Sequence, residues 1–261
     1  MQRRISMPHT IVTVPCLADN YAFLIHDDAS GETALVDAPE SGPILEALQT
    51  RGWALSHVLL THHHWDHVDG LSGILEKHPT KVVGATADAE RLPPLDVSVA
   101  EGDTVTVGGE EAHIIDVSGH TMGHIAFYFP DTGVVFTADS LMALGCGRLF
   151  EGPPEVMFDS LAKLAALPPD TIVCSGHEYT ESNAKFAITV DADNQALKDR
   201  MDRIRANRAA GIPTVPSSLS EELATNPFLR GHDPEIQSAL GLTGASPVEV
   251  FTEIRRRKDS F

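Results

Sequence analysis

The stretch 61-THHHWDH-67, directly after the apolar run His57-Val58-Leu59-Leu60, packs four histidines and an aspartate into six residues. A solvated loop has no use for that density, and a packed core could not hold it without partners. In extended backbone, residues two apart point the same way, so His62 and His64 can converge on one ion. Asp66 and His67 lie past a turn and can reach a second position nearby. His63 then points elsewhere, toward the surface or toward a ligand it supports.

One such motif does not complete a metal centre, so further ligands are expected at strand ends. His120 in 118-SGHTMGH-124, Asp139 in 136-FTADS-140 and His177 in 174-CSGHEY-179 each follow an apolar strand. Open α/β architectures place their sites at that end of their strands. Taken singly, His120 reads equally well as a hydrogen-bonded turn histidine, and Asp139 more readily as a strand-end cap. Their joint occurrence makes ligation the better reading. Five histidines and two aspartates suit two divalent ions with three private ligands each and one bridge. Asp139 is the carboxylate chosen for the bridge, because two cations roughly 3.5–4 Å apart repel unless negative charge lies between them. Nitrogen and oxygen ligands without cysteine suit zinc, iron or manganese and do not choose among them. His124, four residues past His120, is a candidate to support a ligand.

Around this core, Thr10–Val14, Tyr21–His26, Thr33–Asp37, Val58–Leu60, Lys81–Ala85, Thr104–Val107, His113–Val117, Ile125–Phe129, Val134–Ala138 and Thr171–Ser175 read as strands. Gly42–Thr50 and Val156–Leu167 read as helices, and Leu71, Ile74, Leu75 and His78 recur at helical spacing. Gly108-Gly109-Glu110-Glu111 reads as a hairpin turn. Beyond Gly176 the texture becomes helical. Asn194–Ala210 is a long polar helix, Ser218-x-x-Glu221 resembles a capping box, and Asp233-Pro234 and Ser246-Pro247 are N-cap plus proline starts. The fold class is α/β: a strand-rich domain followed by a smaller C-terminal helical domain.

The 261 residues carry 19 Lys+Arg against 37 Asp+Glu, a net charge of −18. That excludes nucleic acid and anionic membranes as bulk partners, since both need a basic footprint. An anionic substrate would need a local cationic patch, which screening over about 8 Å makes independent of the acidic remainder. Cys16, Cys146 and Cys174 form no C-x-x-C pair, which fits a reducing cytoplasm better than a disulfide framework. The opening Met1-Gln-Arg-Arg-Ile-Ser-Met7 is basic with no apolar stretch behind it, and Met7 is an alternative start. A soluble, monomeric, cytoplasmic protein is the expectation.

The series 61-THHHWDH-67, 119-GHTMGH-124, 137-TADS-140 and 176-GH-177 resembles the metallo-β-lactamase superfamily. The segments 145-GCGRLFEG-152, 176-GHEYTESNAKFA-187, 226-NPFLR-230 and 255-RRRKDSF-261 further resemble the hydroxyacylglutathione hydrolase (glyoxalase II) family. The resemblance implies a four-layer αββα metal domain over residues 1–177 and a helical glutathione-binding domain over 178–261. It implies that His62, His64 and His120 hold one metal and that Asp66, His67 and His177 hold the other. Asp139 bridges the two, with zinc the expected ion. It also implies glutathione contacts from Arg148, Tyr179, Arg255 and Lys258. Two departures stand out: the family's Gly-Asp-Thr is here Ala138-Asp139-Ser140, and a tyrosine of many members is here Phe150.

On pattern alone, Arg255-Arg256-Arg257-Lys258 complements a helix C-terminus. Arg255 and Lys258, three apart, share a helix face. The expected reaction is hydrolysis of an S-(2-hydroxyacyl)glutathione thioester by metal-bound hydroxide, with Asp66 and Asp139 orienting it. A thiolate of pKa roughly 8.5 leaves without a dedicated acid. The competing readings are another hydrolase of the superfamily acting on a thioester, lactone or β-lactam, a single-iron persulfide-oxidising relative, and a non-catalytic glutathione- or metal-binding protein.

Overall fold

Residues 9–261 are described in a computed structural model; the basic opening and Met7 lie outside the described residues. The chain divides into two units. One holds the described residues up to Asp116 together with Gly123–Phe136, the other Val117–Met122 and Thr137–Phe261.

In the first unit, β1 (Thr10–Cys16), β2 (Asn20–His26) and β3 (Thr33–Val36) are antiparallel neighbours. Helix α1 (Ser41–Arg51) then returns the chain to β4 (His57–Leu59), parallel to β3. Past α2 (Trp65–Val68) and α3 (Leu71–Leu75) come β5 (Lys81–Ala85) and β6 (Val97–Val99), both parallel additions. Every residue of β2 is buried, which explains why its sequence shows an apolar run rather than alternation. Ile44 and Leu48 of α1 pack into the core formed with Leu24, Leu35, Val58 and Ile74. The helix ends where Gly52 takes the left-handed conformation, φ 69°, that a side chain would resist.

The same unit carries β7 (Thr104–Val107), β8 (Glu110–Asp116), β9 (Ile125–Phe129) and the start of β10 (Val134–Ala138), each antiparallel to the one before. The hairpin between β7 and β8 is only Gly108-Gly109, at φ 58° and 83°. Glu110 and Glu111, read from the sequence as part of that turn, already pair with Val107 and Thr106. Glu110 has a reason to be ordered there. Its carboxylate accepts from the N–H groups of Asp131 and Thr132 at 2.7 and 2.9 Å.

In the second unit, β11 (Leu141–Met142) and β12 (Gly145–Cys146) make a short hairpin, followed by α4 (Pro154–Ala165) and β13 (Ile172–Ser175). Then come α5 (Thr180–Val190), α6 (Gln195–Ala209), β14 (Ser217–Ser218) paired with β13, α7 (Leu219–Thr225), α8 (Pro234–Leu240) and α9 (Pro247–Asp259). Side chains of Asn194, Ser218, Asp233 and Ser246 cap α6, α7, α8 and α9, the last with a full capping box. Helix α5 was not expected. Its N-cap Tyr179 makes no side-chain cap and its buried face opens with the polar Thr180 and Asn183, so no start signal marks it and its apolar residues, Ala184, Phe186, Ala187 and Val190, are confined to the later turns. Among the described residues, no helix is long and apolar enough to cross a membrane.

Candidate metal centre

Each unit carries its own part of the expected ligand set. In the first, strands β3 and β4 end side by side in parallel, delivering Asp37 and the 61–67 motif to one sheet edge. Asp37, 2% exposed, is the organiser. It accepts from the Thr61 N–H at 2.9 Å, the Thr61 hydroxyl at 2.8 Å and His67 Nδ1 at 2.8 Å. Because the Thr61 hydroxyl donates to Asp37, it can only accept from His62 Nδ1, 3.0 Å away. Both imidazoles are thereby fixed with the proton on Nδ1 and the lone pair on Nε2, the state a metal requires.

His62 Nε2 and His64 Nδ1 stand 3.2 Å apart, so the two rings converge as their spacing predicts. Ligand atoms of Asp37, His62 and His67 all lie within 4.8 Å of one another. Asp66, in the first turn of α2, has its carboxylate held by Asn20 Nδ2 at 3.1 Å, and its Oδ2 lies 3.9 Å from His67 Nε2. His63 turns away to Asp88 at 2.9 Å. His124 stacks on His62 with centroids 4.5 Å apart.

In the second unit, Asp139 stands between two histidines. His120 Nε2 is 3.4 Å from Oδ2, and His177 Nε2 is 3.3 Å from Oδ1. His120 gives its Nδ1 proton to the Arg148 carbonyl at 2.8 Å, leaving Nε2 as the donor atom. Gly119, at φ 142°, lets this turn lie against Met157 of α4, where a Cβ would come within 2.7 Å. Ala138 sits at φ 40°, in the left-handed region. The departure from glycine there therefore costs about 1 kcal/mol of backbone strain. The Nε2 atoms of His62, His67 and His120, each with its Nδ1 proton already placed, the His64 Nδ1 beside His62 and the carboxylates of Asp66 and Asp139 are the donor chemistry of a divalent cation, so the residues fit the group.

Asp37 and Asn20 were missed by reading the sequence. For Asp37 a signal existed: 33-TALVD-37 ends an apolar strand in aspartate just as 134-VVFTAD-139 does. Asn20 carries no signal of its own.

The expected substrate residues divide by exposure. Arg148 is exposed, and Tyr179, 39% exposed, stacks on His177 with centroids 4.7 Å apart. Lys258 is half-buried over the rings of Phe186 and Phe261 at 5.5 and 5.3 Å. Burial pushes its pKa down, and the neighbouring charges of Arg255 and Arg148 push it further, which marks a concentration of positive charge in an acidic protein. Arg255 differs: it is 4% exposed and faces the carbonyls of Cys146 and Gly147 at 3.0 and 3.5 Å. Phe150 is exposed, with its ring 5.2 Å from that of His120. Burial raises the thiol pKa of all three cysteines, Cys146 to about 11, so none is poised as a nucleophile.

Residues 19–177 match the model of the metallo-beta-lactamase superfamily, and residues 178–261 match that of the hydroxyacylglutathione hydrolase C-terminus. A hydroxyacylglutathione hydrolase of Ruegeria pomeroyi is 64% identical over 98% of this chain and 100% of its own length. The chain belongs to the hydroxyacylglutathione hydrolase family. Among solved structures, ETHE1 from Myxococcus xanthus superposes with a TM-score of 0.65 at 25% identity, covering 97% of this chain and 99% of its own. TTHA1623 in a di-iron-bound form gives 0.60 at 28%, covering 84% of this chain and 100% of its own. The fold class read from the sequence holds for this family member: a metallo-β-lactamase domain followed by a helical region.

Proposed function

We propose that this chain hydrolyses S-(2-hydroxyacyl)glutathione thioesters, converting S-D-lactoylglutathione to D-lactate and glutathione, the second step of methylglyoxal detoxification. The observation that carries the reading is full-length identity of 64% to a hydroxyacylglutathione hydrolase.

The proposed centre uses His62, His64 and His120 for one divalent ion, Asp66, His67 and His177 for the other, and Asp139 for both. Zinc is the preferred ion, with iron or manganese as alternatives. Support comes from the Nε2 donors prepared within each unit and from the di-iron-bound form of a structural relative. When bound, such ions supply Lewis acidity and lower the pKa of coordinated water from 15.7 to about 7.

The protein's own part is positioning. Asp66, held by Asn20, and Asp139, flanked by two imidazoles, accept the hydrogens of the attacking water and fix its direction. The water, having lost one proton to solvent, bonds through its oxygen to the thioester carbon, and the C–S bond breaks. Glutathione leaves as a thiolate that needs no general acid, and the second proton is lost as the hydroxy acid ionises. Arg148, Tyr179 and Lys258 present cationic and phenolic ends to the carboxylates and amides of glutathione, and Arg255 adds positive charge beside Lys258. Residues 178–261 thus serve as the glutathione-binding domain. A cytoplasmic monomer, without nucleic-acid or membrane partners, completes the reading; the net charge of −18 supports it.

Lys258→Ala provides the test. A hydrogen bond to a charged group contributes about 1.5–3 kcal/mol, and partial exposure brings this to the low end, about a tenfold effect. The variant is expected to raise KM for S-D-lactoylglutathione about tenfold with kcat retained, while turnover of a glutathione-free thioester stays unchanged. Equal losses on both substrates, or wild-type enzyme indifferent to the glutathione moiety, would remove the glutathione reading.

A further inference from the structure

His62, His63 and His64 are consecutive, and in extended backbone residues two apart share a face. Two opposite presentations are therefore open to this stretch. One turns His62 and His64 toward the proposed ion; the other, half a pleat round, turns His63 toward it in their place. The main chain is anchored as far as Thr61. The Leu60 N–H donates to the Val83 carbonyl at 2.8 Å, and the Thr61 carbonyl accepts from the Ile125 N–H at 3.0 Å. Past Thr61, side chains settle the choice. On one face Thr61 holds His62 through its hydroxyl and His124 stacks on the same ring. On the opposite face stands Asp88.

Asp88 ends the short 3-10 turn Thr86–Asp88 that follows β5, and it is 1% exposed. Its Oδ2 accepts from His63 Nδ1 at 2.9 Å, and its Oδ1 accepts from Arg91 Nε at 2.7 Å. The surroundings leave this carboxylate little freedom. The Asp88 carbonyl accepts from the N–H groups of Arg91 and Leu92 at 2.9 and 3.0 Å. Gly123 lies so close that a Cβ there would come within 2.6 Å of the Asp88 Cβ. The next residue is His124, whose ring lies 12° from the plane of His62. Asp88 thus meets the histidine motif from two directions, directly at His63 and by way of Gly123 and His124 at His62.

We infer that Asp88 is a positioning residue of the metal centre: by holding His63 on the face away from the ion, it commits His62 and His64 to ligation and keeps the third imidazole from competing. The inference rests on the metal-centre part of the proposed function, with His62 and His64 as ligands. The two roles follow from one contact. Because side chains alternate, fixing residue 63 on one face fixes residues 62 and 64 on the other. The His63 and His64 ring centroids are only 5.0 Å apart, so an imidazole released from Asp88 stands beside the proposed ligand. Once released it offers the same nitrogen donors as its neighbours.

Full-length wild type, Asp88→Ala, His63→Ala and the double variant are compared for zinc affinity by chelator competition, with thermal melting of the metal-free proteins beside it. Each single variant is expected to lose zinc affinity about tenfold, the lower end of the range for groups that orient metal ligands. The double variant loses no more than about tenfold, because both changes cut one connection. Arg91→Ala removes the other partner of the carboxylate without releasing His63. It lowers the melting temperature and keeps zinc affinity within about twofold of wild type. Asp88→Asn keeps the shape of the side chain but sets its amide against the donor of His63 or of Arg91. Paired with His63→Ala, it carries the same cycle should Asp88→Ala fail to fold. Single-variant losses that multiply to about a hundredfold in the double would show Asp88 and His63 acting independently and overturn the inference. So would unchanged affinity in Asp88→Ala, or an Arg91→Ala loss equal to that of Asp88→Ala. A coupled loss supports the inference even in a protein whose wild type leaves S-D-lactoylglutathione intact; that failure would sink the hydrolase reading alone.

Discussion

Asp139→Asn is expected to lower kcat on S-D-lactoylglutathione by about three orders of magnitude, with the fold retained. The carboxylate stands between His120 and His177, one imidazole on each oxygen, and is the proposed ligand shared by both ions. Asparagine keeps the shape but removes the charge that offsets two cations, and it offers one oxygen where two are used. Metal contributions of several kcal/mol to a hydrolytic transition state correspond to a factor of about 10³. Metal analysis and thermal melting are run beside the kinetics. A folded variant that binds fewer than two ions and is nearly inactive agrees with the account. A variant keeping more than a tenth of wild-type kcat would show that Asp139 is not the shared ligand.

The second large effect is expected from Asp37→Asn, a residue that touches no proposed ion directly. Asp37 receives the Nδ1 proton of His67 and two hydrogen bonds from Thr61, one of which fixes the tautomer of His62. Either orientation of an asparagine sets its amide donor against another donor, the Thr61 N–H or the Thr61 hydroxyl with His67 Nδ1–H, so the strand end must shift or a histidine rotate or change tautomer. Loss of such a partner weakens metal binding about 10- to 100-fold. Chelator competition should register that loss, and excess zinc should restore most of the lost kcat. Unchanged affinity would mean that the buried carboxylate serves only the strand ends.

What was legible in the sequence was local or periodic. The proposed ligands of 61-THHHWDH-67 stand out because such density depends on spacing within one short stretch of chain. His120, Asp139 and His177 follow from a rule about strand ends, and the same rule applied to 33-TALVD-37 would have found Asp37. Capped helices were readable wherever a side chain closed the first turn, as at Asn194, Asp233 and Ser246. The uncapped α5, buried partly through polar residues, was not. The burial of Arg255 lay beyond reach for a different reason. In sequence this residue is one of four consecutive cations at a helix end, and only the fold turns its side chain inward while Arg256 stays exposed. The alanine at position 138 was visible as a departure, but its left-handed backbone was not.

The most direct test of the central claim is a zinc titration of the metal-free protein while hydrolysis of S-D-lactoylglutathione is followed. Activity is expected to climb to a plateau at two zinc equivalents per chain and to be abolished by chelator. Two tightly bound equivalents with no hydrolysis of that thioester would contradict the claim.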